Sequence, residues 1–90
     1  MDNIIYIGEK NFMSYVSSVV LQFTSKNEGE VILKARGKFI TKAVDIAEVI
    51  CKRFMVDQIK IVKILTNSED FKNKEGKQIR VSTIEITMKK

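Results

Sequence analysis

Residues 30–54, EVILKARGKFITKAVDIAEVICKRF, change hydrophobic period partway along, and that change decides the fold. Over residues 30–38 the side chains alternate. Val31, Leu33 and Ala35 point one way, while Ile32, Lys34, Arg36 and Lys38 point the other. A period of two is that of a strand, here with a basic column on one face. From Ile40 the spacing lengthens, and Ile40, Ala43, Val44, Ala47, Ile50, Cys51 and Phe54 fall on one side of a helix. Gly37 stands at the junction, as a punctuating residue should.

Outward from this strand–helix unit the pattern repeats. Residues 3–7 read as a short buried strand ended by Gly8, and Asn11 is a reasonable cap for a helix whose apolar face is Phe12, Tyr15, Val16, Val19, Val20 and Phe23. Asn27, Glu28 and Gly29 close that helix. Downstream, residues 58–66 are β-branched and alternate at first. They change phase at Val62 and Lys63, which marks either a bulge or a strand covered on both faces. Residues 78–88 alternate strongly. The order is β-α-β-α-β-β, an α+β two-layer sandwich in which right-handed crossovers place both helices on one face of the sheet. The last two strands form a long antiparallel hairpin that projects as an arm. Residues 69–77 read as a charged, mobile loop between them.

Ninety residues make a single domain, 1–90. A chain of this size buries only about 60–65% of its unfolded surface, yet 44% of its residues are hydrophobic. With a lone cysteine and no disulfide or metal cluster to supplement packing, such a surplus points toward self-association. Cys51 suits a reducing compartment. No segment approaches the roughly 18–20 apolar residues of a membrane span. Met1-Asp2-Asn3-Ile4-Ile5 lacks the basic stretch and apolar core of a signal peptide, so an intracellular location is expected.

The net charge of +5 is unevenly distributed. Residues 1–33 hold two lysines against four acids, residues 34–53 six basic residues against two acids, and residues 54–90 eight against five. A basic excess favours a polyanionic partner. In the middle block Lys34, Arg36 and Lys38 share a strand face, and Lys42 continues at the start of the helix. Alternate residues on a strand lie about 6.6 Å apart, comparable with phosphates along a nucleic-acid strand, so the row either engages a backbone or is a solvated face that guards against aggregation. The first reading requires Arg36 and Lys38 to stand clear of their own acidic neighbours. Lys72, Lys74 and Lys77 alternate with Glu69, Asp70 and Glu75 and read as a solvated hairpin tip.

Enzymatic chemistry finds little purchase. The chain has no histidine, the usual general base near neutral pH. Cys51 lies on an apolar helical stripe and reads as a core thiol. Asp45 and Glu48 are three apart on a helix, but no third ligand is evident, so they read as solvated charges rather than a metal pair. Ala35-Arg36-Gly37-Lys38 carries one glycine and is no phosphate-binding loop. No cofactor and no small-molecule substrate are expected.

Beside these readings, the stretch Ile32-Leu33-Lys34-Ala35-Arg36-Gly37-Lys38, running on through Ile40-Thr41-Lys42-Ala43-Val44-Asp45, resembles the signature of the Alba family of archaeal chromatin and RNA-binding proteins. So do Ile7-Gly8-Glu9-Lys10 with Met13-Ser14-Tyr15-Val16, Lys52-Arg53-Phe54, and Arg80-Val81-Ser82-Thr83-Ile84-Glu85-Ile86. The resemblance covers essentially the whole chain. It implies the same two-layer fold, similar to the C-terminal domain of translation initiation factor three, and a homodimer whose hairpin arms lie along duplex DNA. It also implies Lys10, Arg36, Lys38, Lys42 and Arg80 as nucleic-acid contacts, with Lys72, Lys74 and Lys77 at the arm tip. Phe54 becomes an aromatic for dimer–dimer contact in a higher assembly on DNA; from periodicity alone it is instead the last residue of a buried stripe. The family's lysine pair after the first strand, a site of acetylation, is here Glu9-Lys10. Only Lys10 can be modified, and Glu9 should weaken or sharpen binding. Asn11 replaces the family's usual proline.

The expected function is therefore sequence-tolerant binding of DNA and RNA by an architectural chromatin protein, cytoplasmic and chromosome-associated. An RNA-dedicated component of a ribonucleoprotein complex is the alternative. A protein–protein adaptor and a carboxylate-metal nuclease through Asp45 and Glu48 are more remote readings.

Overall fold

The structure, a computed structural model, describes residues 3–90. Met1 and Asp2, on which the reading of the N-terminus partly rests, lie outside the described residues. The elements run β1 (Ile4–Tyr6), α1 (Phe12–Thr24), β2 (Glu30–Arg36), α2 (Ile40–Val49), β3 (Lys60–Lys72) and β4 (Gln78–Lys89). A 3₁₀ turn, Gly37–Phe39, joins β2 to α2, and a π-helical turn, Ile50–Phe54, continues α2. The sheet order is β1-β2-β4-β3, with β1 parallel to β2 and β4 antiparallel to both its neighbours.

Both helices cover one face of the sheet, as the strand–helix order requires. Tyr15, Val16, Val19 and Phe23 of α1 and Ala43, Ile46 and Ala47 of α2 meet Val31, Leu33, Ile84, Ile86 and Met88 in one core. Burying each of the valine, leucine, isoleucine, phenylalanine and methionine side chains among these contributes about 1.5–3 kcal/mol. No charged or polar side chain is buried among the described residues. Asn11 caps α1 as expected: its side chain accepts a hydrogen bond from the Ser14 amide at 2.9 Å. Cys51 is buried as expected; desolvation pushes its thiol above the ordinary 9.0, and the nearby charge of Glu48 adds to the effect. The change of phase at Val62 is a bulge, visible as a shift of register between Ile61 and Lys63.

Three expectations need correction. The strand carrying the basic column ends at Arg36, because Gly37 adopts a φ of 58° and turns the chain out of the sheet. Lys38 therefore sits on the 3₁₀ turn and not on the strand. Residues 69–77 are not one loop. β3 runs on to Lys72, and only residues 73–77 turn. Asn73 builds that turn, its side chain accepting from the amides of Glu75 at 2.9 Å and Lys77 at 3.0 Å, while Gly76 supplies a φ of 80°. Finally, Phe54 is not core. The Met55 amide bonds to the Ile50 carbonyl at 2.8 Å, a five-residue step that inserts one residue into the helix and rotates Phe54 off the buried stripe. Phe54 is 51% exposed.

β2 pairs with β4 only from Glu30↔Lys89 to Arg36↔Thr83, and β1 starts beside Ile32. Residues 3 and 90 thus lie at one end of the sheet. From the other end the β3–β4 hairpin continues past Arg36 without a third strand, which gives the molecule its 46 × 24 × 24 Å outline.

Candidate nucleic-acid interface

Because β1 and β2 are parallel, the segments that leave their C-terminal ends lie side by side. These are residues 7–11 and the turn Gly37–Phe39, and the arm projects from the same end. The topology thereby gathers Lys10, Arg36 and Lys38 around the root of the arm, with Lys74 and Lys77 in its turn and Lys72 just before it.

The segment 8–10 is held by two side chains from the helices. The Tyr15 hydroxyl accepts hydrogen bonds from the amides of Gly8 at 2.8 Å and Lys10 at 3.1 Å. The Lys42 ammonium donates to the carbonyls of Gly8, at 2.7 Å, and Lys10. It also lies 5.1 Å from the Tyr15 ring centroid and 5.9 Å from that of Phe39. Two of its three N–H donors are therefore used internally. This half-buried side chain thus anchors the segment that presents Lys10, with one N–H donor left over. Nothing local in the sequence marks Tyr15 and Lys42 as partners, since both match helical or basic patterns that suffice without each other.

The remaining cations do not stand as a free row. Arg36 donates to Glu69 at 3.0 Å, and Lys38 lies 3.5 Å from Glu9. Arg80 donates to Asp70 at 2.9 Å, and Lys34 is 3.8 Å from Glu85. The match between an unpaired cation row and a phosphate repeat is thus overturned, both by the break at Gly37 and by these acidic neighbours. The pairs are solvent-exposed, however, with Arg36 and Glu69 at 61% and 53% and Lys38 at 77%. Exposed pairs of this kind contribute about 0.2–1 kcal/mol and weaken with salt. Lys10 makes neither an ion pair nor a side-chain hydrogen bond among the described residues.

Register separates the two arginines. Arg36 is opposite Thr83, which is opposite Asn67, so Arg36 and Glu69 share the sheet face that carries no helix. Asp70 and Arg80 are opposite one another on the other face of the arm. Arg80 therefore does not join the Arg36 group. A groove of about 540 Å³ on the helix-free face is lined by Tyr6, Lys34, Arg36, Phe39, Glu69 and Glu85, so its charges are internally balanced. No group of three candidate metal ligands occurs among the described residues, and Glu48 pairs with Lys52 at 3.4 Å.

Residues 3–68 match the family model described as Alba. The chain is 50% identical over 88 residues to the "DNA/RNA-binding protein Alba" of Methanococcus maripaludis, covering 98% of each chain. It is 45% identical over 91 residues to the protein of the same name from Methanocella arvoryzae, covering 99% of this chain and 91% of that one. Among solved structures, Alba from Thermoplasma volcanium superposes with a TM-score of 0.87 at 42% identity, covering 97% of this chain and 99% of that chain. ALBA1 from Trypanosoma brucei shares the fold, with a TM-score of 0.76 at 24% identity, over 100% of this chain and 70% of that chain. With the matched motif, near-complete coverage and the same sheet and arm, the chain belongs to the Alba family.

Proposed function

We propose that this protein binds DNA and RNA through their sugar–phosphate backbones, with little regard to sequence, as an architectural component of the chromosome in the cytoplasm. The observation that carries the reading is the gathering of Lys10, Arg36 and Lys38 at the root of a projecting basic-tipped arm. The names of the two relatives above, similar over nearly their whole length, support the same class of ligand. Fixed cations on a rigid body with a ribbon beside them suit a long polyanion better than a compact ligand. Lys10, exposed and held in place by Tyr15 and Lys42, is the residue whose acetylation would remove a contact.

The active species is a homodimer in this reading. β3 is a 13-residue edge strand, and Phe54, Val56, Val62 and Ile64 are exposed at that edge and at the end of the helix before it. An edge of this length with an apolar border favours a second copy as its cover. Exposed Phe54 is then available for contact between dimers.

The test is a salt titration of binding to duplex DNA and to structured RNA. If a dimer neutralises about six to ten phosphates, affinity falls by roughly three to five orders of magnitude between about 50 and 200 mM salt. Replacing Arg36 and Lys38 together by alanine lowers affinity similarly for unrelated sequences; loss confined to one sequence indicates base readout instead. Retention of RNA alone in competition identifies an RNA-dedicated protein, and a shallow salt dependence on both ligands refutes backbone binding.

A further inference from the structure

We infer that Glu69 is a specificity-determining residue of this interface: an intramolecular carboxylate that occupies Arg36 and must be displaced before Arg36 can hold a phosphate. The inference rests on the nucleic-acid reading above. Arg36 and Glu69 are 33 residues apart and come from different parts of the molecule, the end of β2 in the body and the arm half of β3. The Arg36 guanidinium reaches along the helix-free face, donating at 3.0 Å to Glu69 and lying 6.0 Å from the ring centroid of Phe71, the next residue of β3 on that face. It thus ties the root of the arm to the body at the point where the sheet narrows to two strands.

The geometry suits exchange and not permanent anchorage. One N–H of Arg36 meets one oxygen of Glu69, whereas a guanidinium offers five donors and a carboxylate can accept a two-bond fork. Both partners are more than half exposed, so a phosphate can approach the remaining donors. Lys42 shows the contrasting arrangement, a half-buried cation among uncharged carbonyls. Neighbouring Asp70 points to the other face and covers Arg80 in the same manner, so each arginine assigned to the interface already has an acid of its own. Displacing Glu69 costs the internal pair and leaves a carboxylate beside the incoming phosphate. Ligands with sparse phosphates therefore gain little from Arg36, while a duplex, with about one charge per 1.7 Å of axis, gains enough.

The experiment compares duplex binding of the wild type, Glu69→Gln, Arg36→Ala, the double variant and Glu28→Gln. The last makes the same change in net charge at the opposite end of the sheet. Glu69→Gln should tighten binding about two- to five-fold, in keeping with the strength of an exposed pair, and steepen the salt slope by up to about one. Glu28→Gln should do markedly less. In the Arg36→Ala background the gain from Glu69→Gln should shrink to that of Glu28→Gln. Equal effects of Glu69→Gln and Glu28→Gln overturn the inference. So does a gain that persists undiminished without Arg36, because that result is through-space repulsion. If the wild type binds neither duplex nor RNA at 50 mM salt, the functional reading itself falls, and the inference with it; binding without coupling sinks the inference alone.

Discussion

Lys38 and Lys42 lie one helical turn apart, carry the same group, and have different surroundings. Lys38 is solvated beside Glu9, whereas the Lys42 ammonium sits among the carbonyls of Gly8 and Lys10 and over two aromatic rings. Hydrogen bonds to a charged group contribute about 1.5–3 kcal/mol, so Lys42→Met should lower stability to urea by roughly that amount. Because Lys42 is an anchor, the salt slope of nucleic-acid binding should stay at its wild-type value once folding is accounted for; a slope smaller by about one would make it a phosphate contact after all. This distinction could not be read from the chain. The Asn11 cap was legible because its partner, Ser14, is three residues away. The partners of Lys42 are 34 and 32 residues away, and that of Arg36 is 33 away, so they meet only after the sheet has formed.

Secondary-structure elements were legible wherever periodicity carried them. The alternation at Val31, Leu33 and Ala35, the helical stripes and the phase change at Val62 all have counterparts in the structure. Two features escaped for reasons of context. Asn67, Ser68, Glu69 and Asp70 have little preference for strand, and Glu69 and Asp70 read as part of the loop. They are held extended by the ladder to Thr83, Ser82, Val81 and Arg80, a cross-strand effect invisible in a window of sequence. Phe54 fits a helical stripe until one inserted residue in the π turn moves it to the surface. The arm's own stability depends on its turn. Gly76→Ala places a side chain at a φ of 80°, a strain of about 1–2 kcal/mol. Amide hydrogen exchange should quicken across residues 68–82 in that variant while the amides of α1 and β2 keep their protection; uniform acceleration would show instead that the arm and the body unfold together.

For the molecule as a whole, the fold class and family were readable from the quoted motifs. The arrangement of charge was not, because Glu9, Glu69, Asp70 and Glu85 each pair with a cation that lies well away in the chain and is brought alongside only by the folded sheet. Assembly is the scale at which the proposed function makes its broadest demand. Ile64, 55% exposed on the edge strand, is aimed at a second copy in that reading. Ile64→Lys should shift the mass in solution from dimer to monomer and weaken duplex binding through lost bivalency, leaving secondary structure intact; an unchanged mass would move the interface elsewhere. The register of β1 and β4 has a practical corollary. Residues 3 and 90 emerge from the margin farthest from Lys10, Arg36 and the hairpin turn. A fluorophore or surface tether attached at residue 3 or residue 90 therefore sits away from the working side.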